Sequence, residues 1–128
     1  MISKTYNNIS KRDFYYKFFE LFNVLQNNME SKLTERQIDF LSEFLALDDN
    51  FKYTRFKIQG KRQVIDNIKN RTGEKISVQN LDATLSYLKK KGILIEQNDR
   101  IKYINPKIEK FMNPQNKSFE FIFKFNIE

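Results

Sequence analysis

The spacing of apolar residues changes once in the second half of the chain, and this change constrains the fold more than any other feature. From residue 77 to residue 90, leucines recur every three to four positions behind Ser77, which predicts a helix with a serine N-cap. Gly92 follows three lysines and predicts the end of that helix. Two short segments, 93–96 and 100–104, flank a polar turn and predict a β-hairpin. The chain therefore combines helices with a small antiparallel sheet.

Three more helices are predicted upstream of this segment. The first spans about residues 13–29 and has a broad aromatic face, because phenylalanines and tyrosines recur there at helical spacing. The second begins at Thr34, which forms a capping box with Gln37, and ends near Leu47. The third runs from about residue 61 to residue 71. The predicted fold class is mainly α with a small β-hairpin (α+β).

Two other segments have the alternating pattern of extended chain. Residues 51–58 alternate roughly and are rich in aromatic side chains, which predicts a short strand or an extended connector. Near the C-terminus, phenylalanines alternate with polar residues and predict a half-buried strand whose apolar face must be covered. Those residues are Phe119, Phe121, Phe123 and Phe125.

The length of 128 residues suits one domain with a hydrophobic core and is too small for two ordinary ones. We divide the chain into an N-terminal tail with an amphipathic helix (1–32), a central domain (33–112), and a linker with the C-terminal strand (113–128). The apolar runs are too short to span a membrane, and the first residues lack the apolar core of a signal peptide. We therefore expect a soluble protein without a membrane partner.

The composition argues against most enzyme classes. The chain has neither cysteine nor histidine, which removes disulfides, thiolate zinc sites, cysteine nucleophiles, the usual general base and the commonest metal ligand. Its three glycines, Gly60, Gly73 and Gly92, are widely separated and form no phosphate-binding loop. We expect no enzymatic activity, no cofactor, no metal and no small-molecule substrate.

Positive charge is concentrated in the second half of the chain. The net charge is +7, with a balance of −2 over residues 1–50 and +9 over residues 51–128. Such an excess favours a polyanionic partner. Lysines at the end of a helix are also common on solvated surfaces, where they complement the helix dipole. The lysine run before Gly92 is therefore compatible with a polyanion-binding surface and with an ordinary solvated helix end.

The order of helix, connector, helix, tight turn, helix and hairpin over residues 33–104 is that of the winged-helix variant of the helix-turn-helix. The third helix and hairpin read SVQNLDATLSYLKKKGILIEQNDRIKYINP. This segment resembles the recognition helix and wing of winged-helix regulators and replication initiators from bacteria, plasmids and phages. Residue types with AT-rich codons (Phe, Tyr, Met, Ile, Asn, Lys) supply 67 of the 128 residues, which fits phage, plasmid or low-GC bacterial genes.

The resemblance implies that this helix enters the major groove of duplex DNA while basic residues around it meet phosphates. The residues implied to face bases are Gln79, Asn80, Ala83, Ser86 and Tyr87. Those implied to face phosphates are Lys61, Arg62, Lys89, Lys90, Lys91, Arg100 and Lys102. The helix departs from the usual pattern because it has no arginine, carries Asp82 and leads into a short wing turn.

The alternative is a phage virion structural or assembly protein in which the domain docks other subunits or further copies of itself. Two aromatic segments support it, since a C-terminal strand can add to a neighbour's sheet. The candidate interface residues are Phe14, Tyr15, Phe18, Phe19, Phe119, Phe121, Phe123 and Phe125. An acidic stripe of Glu35, Asp39 and Glu43 is either solvent-facing or a patch that docks a basic surface. Both interpretations place the protein in the cytoplasm of a bacterial host cell or in a virion.

Overall fold

The computed structural model describes residues 9–26, 32–97 and 101–111, with the backbone alone at Ile101. These residues form a mainly α fold with one two-stranded antiparallel sheet, which confirms the predicted fold class. The elements are α1 (Lys11–Val24), α2 (Glu35–Leu45), a 3₁₀ turn (Asp49–Phe51), α3 (Ile58–Thr72), α4 (Val78–Lys90), β1 (Leu94–Gln97), β2 (Ile101–Ile104) and α5 (Pro106–Glu109). No helix within the described ranges is long and apolar enough to cross a membrane.

The core is built around α2, which packs against α1, α3 and α4, while α4 also contacts α3 and β1. Leu81, Leu85 and Leu88 of α4 are completely buried, as their spacing predicts. Each such leucine contributes about 2 kcal/mol through the apolar surface that it removes from water. Their burial fixes which side of α4 turns outward.

Two capping boxes fix where helices begin, and both follow from local sequence. Thr34 Oγ1 accepts a hydrogen bond from the Gln37 backbone N–H (3.1 Å), and Gln37 Oε1 accepts one from the Thr34 N–H (2.9 Å). Ser77 Oγ accepts from the Asn80 N–H in the same way (3.1 Å). The predicted starts of α2 and α4 are confirmed.

The hairpin is confirmed, with Leu94 opposite Ile104 and Glu96 opposite Lys102. Leu94 and Ile104 are buried, so this face of the sheet closes the core beside α4. Asn105 holds the base of the hairpin together, because its side-chain Nδ2 donates to the Gly92 carbonyl (2.8 Å). The predicted turn between the strands lies outside the described residues.

The first helix ends earlier than predicted, at Val24 instead of Met29. Asn23 explains this end, because its side chain donates to the Leu33 carbonyl (2.7 Å) and accepts from the Leu33 N–H (2.8 Å). These two bonds connect the last turn of α1 to the residue before the Thr34 cap. A contact between positions ten residues apart leaves no periodic signal in the sequence.

The connector before α3 is a series of turns, so the predicted strand or extended chain at residues 51–58 is wrong. Arg55 supplies the reason, because its Nη1 donates to the carbonyls of Phe44 (2.8 Å) and Leu45 (3.1 Å) at the end of α2. The helix α3 begins at Ile58, three residues before the predicted start. Its N-cap, Lys57, makes no side-chain capping bond and gave no start signal.

The predicted C-terminal strand, with Phe119, Phe121, Phe123 and Phe125, lies outside the described residues. The proposed limits of the three segments, 1–32, 33–112 and 113–128, stay predictions.

Candidate nucleic-acid interface

The outward face of α4 is small and polar. Gln79, Ala83 and Ser86 are exposed on the side opposite the buried leucines, and Lys90 is exposed near the helix end. Tyr87 is half-buried, and the Lys91 ammonium lies 5.0 Å from the centre of its ring. From Gln79 to Lys90 this face extends about 16 Å along the helix.

Asn80 has a structural role that the sequence analysis did not assign. Its Oδ1 accepts hydrogen bonds from the Ser77 N–H (3.2 Å) and the Ser77 hydroxyl (2.8 Å), which completes the capping box of α4. A bidentate contact with adenine needs both the oxygen and the amide nitrogen of an asparagine side chain. The cap therefore competes with the base contact implied for Asn80. Gln79 is exposed, and its side chain takes no part in the capping hydrogen bonds described for α4.

Lys61 connects the start of α3 to α4. Its Nζ lies 2.6 Å from Asp82 Oδ1, and the Lys61 side chain is only 16% exposed. This ion pair brings the first turn of α3 beside the middle of α4. It also neutralises the one carboxylate on the predicted recognition helix.

Lys89 is ion-paired as well, with Glu96 of β1. The hydrogen bond from Lys89 holds the pKa of Glu96 below its usual range, and the positive charge of Lys102 acts in the same direction. Glu96 therefore carries its negative charge at neutral pH between two of the predicted phosphate contacts. Both lysines were predicted as phosphate contacts from the sequence, but the carboxylate between them was not singled out.

The other predicted phosphate contacts have different environments. Arg62 is exposed on α3, and Lys102 is half-buried on the hairpin. Arg100 lies outside the described residues. The described cations therefore lie at the start of α3, at the end of α4 and on the hairpin, and the Lys61–Asp82 pair connects the first of these positions to α4.

Two of the three acids in the acidic stripe of α2 are paired with arginines of the same domain, so the solvent-facing interpretation holds for Glu35 but not for Asp39 and Glu43. Asp39 accepts from Arg71 Nη2 (2.7 Å) and from Arg12, while Glu43 accepts from Arg71 Nε (3.0 Å). Burial raises the pKa of Glu43, although the hydrogen bond from Arg71 opposes that shift. These pairs connect α1, α2 and α3, so only Glu35 is left as an exposed acid of the stripe.

The broad aromatic face of α1 belongs to the domain's own core. Tyr15, Phe18 and Phe19 are buried, and Phe14 is partly buried against the same cluster. The assignment of Tyr15, Phe18 and Phe19 to a protein interface is therefore wrong for the folded domain, because buried rings are not accessible to a second molecule, while the assignment of the partly exposed Phe14 stays a prediction. Packing against α2 accounts for the width of this face.

Comparisons with known protein families, curated proteins and solved structures returned no match. Within the described ranges, no three residues of the types Asp, Glu, His and Cys come together as a possible metal site.

Proposed function

We propose that residues 33–112 form a winged-helix domain that binds duplex DNA, with α4 in the major groove and the hairpin as the wing. The domain acts without catalysis, as a phage- or plasmid-type regulator or replication accessory protein. The order of α2, α3, α4 and hairpin around one core supports this proposal. The major groove is about 12 Å wide and admits an α-helix whose outer face is free of bulky apolar side chains.

The observation that carries the proposal is the arrangement of charge around that face. A neutral centre formed by Gln79, Ala83 and Ser86 is bordered by exposed lysines at the end of α4 and by the Lys61–Asp82 ion pair at the start of α3. Bases lie at the centre of a groove and phosphates lie along both edges, so this distribution of charge matches DNA. The described cations of this surface, Lys61, Arg62, Lys89, Lys90, Lys91 and Lys102, outnumber its two carboxylates, Asp82 and Glu96.

Phosphate contacts supply most of the proposed affinity, and base contacts supply little. The helix α4 has no arginine, the commonest specific reader of guanine, and Asn80 is engaged in the cap. We expect a protein that binds duplexes of different sequence with similar affinity. Recruitment to DNA then depends on the density of phosphate charge.

Salt dependence tests the proposal. We expect wild-type protein to bind a 20-base-pair duplex with a slope of log affinity against log salt near −4. The surface carries four net positive charges, and each phosphate contact contributes about −0.9 to the slope. Raising salt from about 50 to 200 mM then weakens binding by about two orders of magnitude. Fluorescence anisotropy of a labelled duplex measures both quantities. Absence of binding at 50 mM salt, or binding that salt does not change, contradicts the proposal.

The alternative, subunit docking in a phage particle, stays a prediction. The aromatic face of α1 no longer supports it, because Phe18 and Phe19 are buried in the core. Its other support, the C-terminal strand, lies outside the described residues.

A further inference from the structure

Two of the lysines that surround the exposed face of α4 are paired with carboxylates of the same surface. Lys61 pairs with Asp82 at the start of α3, and Lys89 pairs with Glu96 at the end of α4. We propose that Asp82 and Glu96 limit DNA affinity by pairing with these lysines, so that a DNA phosphate must displace Asp82 to reach Lys61 and must compete with Glu96 for Lys89. This inference rests on the proposed function and specifies which residues set the strength of binding.

The burial of the first pair supports a competition at the surface. Asp82 is 49% exposed and Lys61 is 16% exposed, so the carboxylate is the more accessible partner. An incoming phosphate therefore meets a negative charge before it meets the lysine. Repulsion at this position weakens binding, and release of Asp82 is required for Lys61 to contact the phosphate.

Local helix physics gives no reason for an aspartate at this position. Asp82 is the fifth residue of α4, beyond the first turn in which the helix dipole favours a negative charge. Aspartate is also a weaker helix former than alanine or glutamate in a helix interior. The contact with Lys61 is the interaction within the described structure that accounts for it.

The second pair has the opposite exposure and a similar effect on charge. Glu96 is 16% exposed and lies opposite Lys102 in the hairpin, while its partner Lys89 is half-exposed. One carboxylate therefore reduces the positive potential at two predicted phosphate contacts. Ion pairs of partly exposed groups are weak, so phosphate is able to replace the carboxylate while overall affinity stays reduced.

Neutral variants of the two carboxylates test the inference. We expect Asp82→Asn and Glu96→Gln each to steepen the salt slope by about 0.9 and to strengthen duplex binding about eightfold at 0.1 M salt, as one extra phosphate contact does. Glu20→Gln is the matched control, because it makes the same charge change on α1 and also removes an ion pair, with Lys17 (3.1 Å). The control should bind within twofold of wild type.

Two double variants that both keep the net charge of wild type separate release of Lys61 from a simple gain of net charge. Lys61→Met with Asp82→Asn should lose the gain, because the released lysine makes the new contact, whereas Lys11→Met with Asp82→Asn should keep it. Thermal unfolding checks that each variant folds. If Asp82→Asn does not fold, Glu96→Gln alone tests the inference.

Two outcomes overturn the inference, and they are distinguishable from failure of the proposed function. Suppose that wild type binds duplex and that folded Asp82→Asn and Glu96→Gln bind it with the same affinity as Glu20→Gln. The carboxylates then do not limit affinity, although DNA binding stands. If Lys11→Met abolishes the gain of Asp82→Asn as fully as Lys61→Met does, net charge explains the gain and the competition is wrong. If neither wild type nor any variant binds duplex, the proposed function fails together with this inference.

Discussion

Replacing Gly60 with alanine is expected to destabilise the domain by about 3 kcal/mol or more, because the added methyl group overlaps the backbone. A Cβ at this position would lie 1.9 Å from the Arg55 carbonyl oxygen and 2.7 Å from the Thr54 carbonyl oxygen. Neither oxygen can rotate away as a flexible side chain can. Gly60 also donates its N–H to the Thr54 carbonyl (3.2 Å), so the first turn of α3 lies directly on the connector.

Urea denaturation followed by circular dichroism measures this loss. Gly73→Ala is the matched control, because Gly73 has a positive φ of 78° and nothing lies within 4 Å of a Cβ placed there. We expect Gly73→Ala to lower the free energy of unfolding by about 1 kcal/mol, because alanine is strained in the left-handed backbone conformation of this position. An equal or smaller loss for Gly60→Ala would mean that the connector does not pack against α3 as described.

Reversing the charge of Lys90 and Lys91 together is expected to weaken duplex binding about 100-fold at 0.1 M salt. Two lost phosphate contacts account for about a 60-fold change at this salt concentration, and repulsion by two new carboxylates adds to it. Both residues lie near the C-terminus of α4, where lysine also complements the helix dipole. We therefore expect a stability loss of about 1 kcal/mol as well, which thermal unfolding measures separately.

Lys11→Glu with Lys32→Glu provides the control for this double reversal. Both residues precede α2, and the change in net charge is the same. We expect the control to bind duplex within about threefold of wild type, since its charges lie outside the proposed interface. Equal weakening by the two double variants would show that overall charge, rather than α4, determines binding.

Features decided within one helical turn could be predicted from the sequence. The Thr34–Gln37 box and the Ser77 cap join residues three positions apart, so both starts were correct. The spacing of the leucines in α4 likewise identified its exposed face, because helix geometry fixes that relation.

Features decided by tertiary packing could not be predicted. The pairs of Lys61 with Asp82 and of Arg71 with Glu43 join distant positions, and many other acid–base combinations were equally compatible with the sequence. Alternation at residues 51–58 resembled a strand, but Arg55 binds the end of α2 and no partner strand lies beside this segment within the described sheet. The exposed side of α4 was therefore predicted correctly, whereas the carboxylates that pair with Lys61 and Lys89 were not predicted.

Mapping of backbone amide chemical shifts during titration with a short duplex at 50 mM salt shows which surface of the domain contacts DNA. We expect the largest changes on α4, from Gln79 to Lys90, with further changes at the start of α3 and on β1 and β2, while α1 changes little. An absence of changes, or changes confined to α1 and the connector at residues 49–57, would contradict this expectation.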